Sequence, residues 1–235
     1  MKTKFSTIFT IALLLICQVS FSQSFDGLWG VVSVKAGNRT VTPVAKWFLI
    51  KKDGTFKSGN GWSQNTVGTW SYDQSTGKFA GHATNGIRDE YGAFNLKLDN
   101  EQLIWDRVED GMTVIVVLER IAEIPAAPAD LVQGLWSLSS VKKGNEEVLS
   151  AIDPQSKQFI HIRPDKRFRL RNPDETSTTG FWHMNGHQPL FTLIDDNRSV
   201  DNLVFSVEFF DDQLIMKHNE QDLQYTYQRI FDFPN

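Results

Sequence analysis

The chain has 235 residues, of which 40% are hydrophobic and 22% charged, with a formal net charge of −4. This balance is that of a globular protein, and the 28 aromatic residues, 7 Trp, 17 Phe and 4 Tyr, exclude a disordered chain. The length suffices for one large domain or two small ones. A negative net charge argues against nucleic-acid binding, because contacts to phosphates need a basic surface.

The first 22 residues have the pattern of a cleaved signal peptide. The basic segment MKTK precedes the apolar run IFTIALLLI, which is too short for an ordinary membrane span. The small residues Ser20 and Ser22 stand where a signal peptidase requires them, so we place the cleavage after Ser22. An uncleaved anchor is the alternative. Because no second long apolar run follows, we predict an exported protein, periplasmic or secreted, with no membrane span in the mature chain.

The single cysteine of the sequence, Cys17, lies inside this leader. A lipidated cysteine needs a small residue before it, and the large Ile16 at that position argues against a lipid anchor. The mature chain then has no disulfide, no thiolate nucleophile and no cysteine metal site. Loss of Lys2 and Lys4 with the leader leaves 22 basic and 28 acidic residues, which is a net charge of −6.

After the leader, the chain reads as short strands separated by turn signals, and no stretch has a convincing helical periodicity. In the segment FNLKLDNEQLIW, residues 94–105, apolar and polar residues first alternate, which places the apolar set on one face of a strand. Asn100 and Glu101 then fit a tight turn into the next strand. Asp53 and Gly54 are a pair that suits a two-residue hairpin.

The same pattern occurs twice in the chain. The segment GLWGVVSVKAGN at residues 27–38 returns as GLWSLSSVKKGN at residues 134–145, and nine of the fifteen positions that start at Gly27 and Gly134 are identical. A repeat of this kind indicates two copies of one domain. We predict a first domain over residues 25–121 and a second over residues 131–230. Residues 122–130, with two prolines and no pattern, are predicted to be a short, fairly stiff linker.

Each copy contains about eight predicted strands, most of them joined by short turns, which favours an antiparallel up-and-down order. Eight strands with one apolar face can close on themselves and thereby remove both sheet edges. We therefore predict an all-β protein of two tandem eight-stranded antiparallel barrels. An open sheet or a two-sheet sandwich is the alternative. Eight strands enclose enough room for packed side chains or for one small ligand.

Each copy begins with Gly-Leu-Trp on its first strand and has an arginine on its last strand. In these residues the chain resembles the lipocalin superfamily and, more narrowly, the small lipocalin-like domains of exported bacterial proteins. The resemblance implies that Arg120 stacks on Trp29, and Arg229 on Trp136, at one end of each barrel. It also implies a binding cup more than an enzyme. Residue parity independently places both arginines on the inward face, where an aromatic ring is a good partner for a cation.

The residues predicted to face the two lumens are mostly aromatic. The candidate ligand-binding residues are Phe56, Trp70, Tyr72, Phe94, Trp105 and Arg107 in the first copy, and Phe168, Trp182, Phe205, Met216, His218 and Tyr225 in the second. Such a set can form a cup for an apolar or ring-shaped ligand. It can equally fill a solid core. The first copy has more tryptophan, and we favour it as the cup, with Arg107 or His218 orienting a ligand at the mouth.

The motif HMNGH at residues 183–187 invites a metal hypothesis. If Asn185 and Gly186 form a two-residue turn, Met184 faces His187, and His183 then lies on the opposite face from His187. His187 and His218 alone would make a weak site. We therefore expect no metal and no cofactor. The sequence has no nucleophile-elbow, metalloprotease or phosphate-loop motif, and we name no catalytic residue.

Three functional hypotheses follow. The first is an exported protein that binds a small hydrophobic molecule in one or both lumens. The second is a non-catalytic interaction module with solid barrels that contacts a protein of the cell envelope. The third is an enzyme that uses a lipocalin-type cup. A ligand in the lumen would perturb the fluorescence of Trp70 and Trp105, whereas a protein bound at the surface would not.

Overall fold

The structure, a computed structural model, describes residues 24–186, 188–197, 202–218 and 220–234. The expected signal peptide and its cysteine lie outside these residues, as does His187. Within the described residues the chain forms two antiparallel sheets, one after the other, and two helices of four residues each.

The strands follow the chain in two blocks of nine. The first block consists of β1 (Gly27–Ala36), β2 (Arg39–Thr40), β3 (Trp47–Ile50), β4 (Thr55–Asn60), β5 (Ser63–Asp73), β6 (Lys78–Ala83), β7 (Phe94–Asp99), β8 (Gln102–Glu109) and β9 (Met112–Arg120). The second block consists of β10 (Gly134–Lys143), β11 (Glu146–Glu147), β12 (Phe159–Ile162), β13 (Arg167–Arg171), β14 (Ser177–Met184), β15 (Leu190–Asp195), β16 (Leu203–Phe210), β17 (Gln213–His218) and β18 (Leu223–Ile230).

Each sheet closes into a barrel, because its first long strand also pairs with its last strand. In the first sheet β1 pairs with β9, and in the second β10 pairs with β18. The two-residue strands β2 and β11 pair only with β1 and β10, so the wall of each barrel has eight strands. The prediction of two tandem eight-stranded antiparallel barrels is therefore confirmed. We refer to them as the first barrel and the second barrel.

One of the predicted tight turns has the expected geometry. Asp99 pairs with Gln102, and both Asn100 (φ 47°) and Glu101 (φ 70°) between them have positive φ, as a type I′ turn requires. The prediction for Asp53 and Gly54 is wrong in length. The Lys51 N–H donates to the Thr55 carbonyl, so the loop has three residues and ends at Gly54.

The predicted turn at Asn185 and Gly186 is also wrong. Met184 pairs with Phe191, and the Asn185 N–H donates to the Leu190 carbonyl, which leaves a loop of four residues. Pro189 explains part of the extension, because a proline cannot donate a ladder hydrogen bond. The cross-strand neighbour of Met184 is therefore Phe191.

The sequence predicts no helix, but the structure has α1 (Pro128–Leu131) and α2 (Leu149–Ile152). Helix α1 begins inside the expected linker, with a proline at its first position, where no N–H is needed. The Asp130 carboxylate accepts hydrogen bonds from the N–H groups of Ala127 (2.8 Å) and Trp62 (3.1 Å). The segment before the second barrel is thereby attached to the β4–β5 turn of the first. Across the described ranges, no helix is long and apolar enough for a membrane crossing.

The Gly-Leu-Trp motif closes one end of each barrel. In the first barrel the Arg120 guanidinium lies 4.4 Å from the centroid of the Trp29 ring. Its Nη1 donates to the Asp26 carbonyl (2.9 Å) and its Nη2 to the Ser24 carbonyl (2.5 Å). The Trp29 indole N–H donates to the Phe25 carbonyl at 2.8 Å. The last strand thus holds the segment that leads into the first strand.

The second barrel repeats this arrangement. The Arg229 guanidinium lies 4.0 Å from the centroid of the Trp136 ring and donates to the carbonyls of Gln133 (2.9 Å) and Leu131 (3.0 Å). The Trp136 indole N–H donates to the Val132 carbonyl at 2.7 Å. Both copies therefore use one arginine to join three elements: the entering segment, the tryptophan and the last strand.

We expect Arg120→Ala to lower the free energy of unfolding by about 1–3 kcal/mol, because the substitution removes the stack on Trp29 and two hydrogen bonds to carbonyls. Equilibrium unfolding in urea measures the loss. Lys97→Ala is the matched control, because Lys97 is an exposed cation that forms an ion pair with the partly exposed Asp99. Equal stability of the two variants would show that the stack does not stabilise the barrel.

Candidate functional site

The first barrel encloses a cavity of about 380 Å³. Its walls are mainly apolar, and the aromatic part consists of Phe48, Phe56, Phe79, Phe94 and Trp105. The exposed lining residues, Val44, Ile87 and Asp89, mark where the cavity meets solvent. The cavity is therefore an apolar cup with one rim.

Four of the six candidate residues of the first copy line this cavity: Phe56, Phe94, Trp105 and Arg107. Trp70 and Tyr72 lie elsewhere, against the ring of Phe25, with centroid distances of 5.2 Å and 4.9 Å. Because the Phe25 carbonyl accepts from Trp29, this cluster lies at the end of the barrel that the tryptophan closes. Trp70 and Tyr72 thus build the floor beneath the cavity lining.

Trp105 is held among three other lining rings. It stacks on Phe79, with centroids 5.3 Å apart and an interplanar angle of 15°, and meets the edge of Phe48 at 4.8 Å. Phe94 lies 5.7 Å away at a tilt of 38°. Such ring pairs add to the stabilisation from burial alone. The orientation of the Trp105 ring is therefore fixed by its neighbours.

The indole N–H of Trp105 is an unused donor. The side chain is only 3% exposed, and its Nε1 has no hydrogen-bond partner among the described residues. An indole N–H can only donate, and a buried donor without a partner costs about 1–3 kcal/mol. The atom has less than 1 Å² of accessible surface, so the surrounding protein encloses this donor.

Arg107 organises the rim of the cavity. Its Nε donates to Glu109 (2.6 Å), and its Nη1 donates to Asp89 (2.5 Å) and to the Gly92 carbonyl (2.6 Å). The guanidinium also lies 3.8 Å from the centroid of the Phe94 ring. Asp89 and Gly92 belong to the loop between β6 and β7, so Arg107 fixes this loop to β8.

Tyr91 attaches the same loop at a second point. Its hydroxyl donates to the Asp110 carboxylate at 2.9 Å. This hydrogen bond and the nearby negative charges of Asp110, Glu109 and Glu90 raise the pKa of Tyr91. Tyr91 thus joins the loop between β6 and β7 to the turn between β8 and β9.

The barrel wall is open beside this loop. Strand β6 has six residues, yet it pairs with β7 only through Lys78 and Phe79. The cavity lining continues beyond these pairs, along Gly81 and Ala83 on β6. The loop with Asp89 thus replaces part of the wall.

In the second barrel, the described inward-facing residues form one large core. Among the described residues its core cluster has sixteen buried members, against six in the cluster of the first barrel. Candidate residues Phe168, Trp182, Phe205 and Met216 belong to these buried members, and Tyr225 packs against them. Within the described part of this copy, these candidate residues pack against one another.

Two tyrosines of β18 occupy the interior of the second barrel. Burial raises the pKa of both Tyr225 and Tyr227. The Tyr227 hydroxyl accepts a hydrogen bond from the side-chain amide of Gln158 at 3.3 Å, which supplies a partner for a polar atom inside the barrel.

The copies differ in side-chain size at equivalent positions. Gly81 pairs with Trp70 in the first barrel, and Leu193 pairs with Trp182 at the same place in the second. A Cβ added at Gly81 would lie 3.4 Å from the Phe56 ring, in ordinary contact. The absent side chain therefore leaves space against that ring, whereas Leu193 is buried in its own core.

At two other positions, too, the first copy has a smaller side chain than the second. Ser58 and Leu170 each stand two residues after the matching phenylalanine of their copies, and Ser58 lines the cavity. Val116 pairs with Trp105, and Tyr225 takes its place opposite Met216. The smaller residues of the first copy leave room for the cavity, and the larger residues of the second occupy the equivalent volume.

His218 takes the place of Arg107 in the second copy. It is buried and meets the Phe205 ring edge-on at 5.4 Å, and its Nδ1 has no hydrogen-bond partner within the described residues. In that same part of the chain, no group of three or more His, Cys, Asp or Glu residues is placed to hold a metal ion. His183 is exposed.

No protein-family model matches the chain, and a search of the curated proteins finds no match. The function proposed below is therefore argued from the geometry of the first barrel.

Proposed function

We propose that the protein binds a small, mainly apolar molecule in the cavity of the first barrel. The observation that carries this is the open, aromatic-lined volume of about 380 Å³, which falls in the usual range for ligand pockets. Burial of apolar ligand surface against these rings would supply the affinity. Arg107 and its partners at the rim are the polar groups that would orient the ligand.

The sequence supports the same function through its resemblance to lipocalins. We propose that residues 25–121 and 131–230 are lipocalin-like domains, joined by residues 122–130. A signal peptide over residues 1–22 would export the protein to the periplasm or beyond. The Trp29–Arg120 and Trp136–Arg229 stacks support this assignment, because they lie where the resemblance implies them.

The large core formed by the described residues of the second barrel favours a different role for that copy. Contact with a protein of the cell envelope through its outer surface is the second candidate function. We assign no catalytic role to any residue.

A pair of tryptophan substitutions on one strand tests the cavity. Ala83 lines it, whereas Ala80, three residues earlier on β6, does not. We expect Ala83→Trp to fill the volume and to weaken binding of the neutral fluorescent probe N-phenyl-1-naphthylamine by at least about tenfold. Ala80→Trp is expected to bind the probe like the unmodified protein. Circular dichroism checks that both variants fold.

Fluorescence titration of the full mature chain gives the answer. An unmodified protein that does not bind the probe would contradict the proposed function. Equal binding by the unmodified protein and Ala83→Trp would place the probe outside this cavity. A native mass spectrum of protein purified without detergent would add the mass of a ligand carried from the cell.

A further inference from the structure

We propose that a cleft between the two barrels binds a small organic phosphate, a phosphate monoester held by the ammonium groups of Lys46 and Lys166. The cleft has a volume of about 430 Å³ and, within the described residues, shares no lining residue with the first-barrel cavity. It is therefore a second site, beyond the one proposed above for an apolar ligand. Three features carry the proposal: both barrels build the cleft, the charged groups that line it are cations, and neither lysine has a counterpart in the other copy.

Both barrels and the segment between them build this cleft. The first barrel contributes Lys46, just before β3, and Asn60, at the end of β4. The second contributes Lys166, between β12 and β13, and Pro128 lines the cleft from the connecting segment. The Asn60 side-chain amide donates to the Gly186 carbonyl at 2.9 Å, and both of these residues line the cleft. A direct contact between the barrels thus holds its two sides together.

The charge inside the cleft is positive. Within the described residues, the ionisable side chains that line it are Lys46, Lys166 and His183, and none is a carboxylate. Burial lowers the pKa of Lys46, and no neighbouring charge contributes to that shift. Its ammonium group therefore loses hydration without gaining a counter-ion, and an anion in the cleft would supply one.

Lys166 is held in place by an aromatic ring. Its ammonium group lies 3.7 Å from the centroid of the Trp182 ring. Burial lowers its pKa, and the charge of Asp130 opposes this shift. The Asp130 carboxylate does not line the cleft and already accepts hydrogen bonds from the N–H groups of Ala127 and Trp62. The Lys166 ammonium is therefore available to an anion that enters the cleft.

Neither lysine has a counterpart in the other copy. Lys46 corresponds to Gln158, because both carbonyls accept from the residue two positions after the tryptophan of the repeated motif. Lys166 corresponds to Gly54, because both carbonyls accept from the tryptophan of β14 or β5. The repeat therefore explains neither cation, and each one occurs in the copy in which it faces the cleft.

The chemistry of the lining favours a phosphate on an organic group. A phosphate monoester carries a charge of about −1.5 to −2 near neutral pH and presents three acceptor oxygens, which matches two ammonium groups better than a carboxylate does. Ala129, Met184 and Pro189 add apolar surface to the lining. The volume of about 430 Å³ lies in the usual range for pockets that hold small organic molecules.

Three anions test this ligand class by calorimetry with the full mature chain: phenyl phosphate, phenyl sulfate and inorganic phosphate. Phenyl sulfate has nearly the same shape as phenyl phosphate but only one negative charge. We expect phenyl phosphate to bind at least about fivefold more tightly than phenyl sulfate, because it pairs with both cations. Inorganic phosphate lacks the ring and should bind at least about fivefold more weakly than phenyl phosphate.

Lysine variants assign the site. Lys46→Gln and Lys166→Gln each remove one cation and should weaken phenyl phosphate about five- to tenfold, whereas Lys46→Arg should retain most of the affinity. Lys78→Gln removes an exposed lysine outside the cleft lining and should bind like the unmodified protein. Circular dichroism checks that the variants fold. Binding of N-phenyl-1-naphthylamine in the first-barrel cavity should be unchanged in Lys46→Gln, because the two sites are separate.

A protein that does not bind phenyl phosphate would overturn the site, as would binding that neither Lys46→Gln nor Lys166→Gln weakens. An equal loss in Lys78→Gln would show that the anion responds only to the overall charge. Equal affinity for phenyl phosphate and phenyl sulfate would overturn the pairing of a doubly charged group with two lysines. Inorganic phosphate that binds as tightly as phenyl phosphate would overturn the organic part of the ligand. None of these results bears on the apolar ligand of the first barrel.

Discussion

Trp136→Ala is expected to lower the free energy of unfolding by about 3–5 kcal/mol, the largest loss that we predict for a single substitution. The Trp136 ring is 1% exposed and belongs to the core cluster of the second barrel. Its removal leaves a large void in a packed interior, which the surrounding side chains fill only in part. It also leaves the Arg229 guanidinium without the ring on which it lies.

Urea unfolding followed by circular dichroism measures this loss, and Trp62→Ala is the control. Trp62 is 71% exposed, so its truncation should change stability by no more than about 0.5 kcal/mol. The contrast tests the position of the tryptophan rather than its chemistry. Similar losses in the two variants would mean that Trp136 does not close the barrel.

Gly27→Ala is expected to lower the free energy of unfolding by about 2–4 kcal/mol, which sums backbone strain and a displaced hydrogen-bonded group. Gly27 has a φ of +135°, a conformation that residues with a side chain rarely adopt. A Cβ there would lie 2.4 Å from Nη1 of Arg120, so the guanidinium would have to leave the carbonyl that it binds. Glycine is thus required at position 27 for two reasons: the positive φ and the close approach of the Arg120 side chain.

Gly37→Ala isolates the backbone contribution. Gly37 also has a positive φ, +59°, but a Cβ there would meet nothing within 4 Å, so a loss of only about 1 kcal/mol is expected. The double variant Gly27→Ala/Arg120→Ala should lose less stability than the sum of the losses in the two single variants, because the guanidinium that the new methyl group would displace is already absent. A Gly27→Ala variant no less stable than Gly37→Ala would contradict the steric argument.

Local patterns in the sequence were sufficient to predict the barrels. Alternation with period two fixes which residues share a face, and the repeated Gly-Leu-Trp with a terminal arginine marks where each copy begins and ends. Turn residues such as Asn100 and Glu101 fix strand order, because they allow only a tight antiparallel return. These signals each depend on a few neighbouring residues, and a single sequence contains them.

The distinction between cup and core was harder to predict, because it depends on side-chain volumes summed across strands far apart in sequence. The signal was present: Gly81 and Ser58 in the first copy stand where the second has Leu193 and Leu170. It is visible only once the strand registers of the two copies are aligned. The preference for the first copy rested on its tryptophans, whereas the small residues are what leave the space.

Depth along the barrel axis and loop conformation were the other limits. Period two places Trp70 and Tyr72 on the inward face but does not say how far each lies from the rim. Phe25, which contacts both, precedes the first strand and follows no pattern. Periodicity also cannot predict that an irregular loop returns to Arg107 and brings Asp89 to the cavity rim.

The attachment of the linker has a consequence for how the chain folds. The last strand of the first barrel, β9, and the first strand of the second, β10, are close neighbours in sequence. Strand β10 resembles β1, with which β9 pairs, and β9 occupies the same position in its copy as β18, with which β10 pairs. Arg120 is 91 positions from its own Trp29 but only 16 from Trp136. Closing the shorter loop is favoured by about 1.5 kcal/mol of chain entropy, so a hairpin of β9 with β10 competes with the correct closure.

Tandem copies of one domain are prone to this kind of misassembly during folding. The segment between the two strands opposes it: helix α1 stiffens the chain, and Asp130 anchors it to the turn that contains Trp62. We expect an attached segment to bring β10 against β9 less readily than a free one would. The connection between the copies is therefore expected to disfavour an exchange of partners between two similar strand pairs.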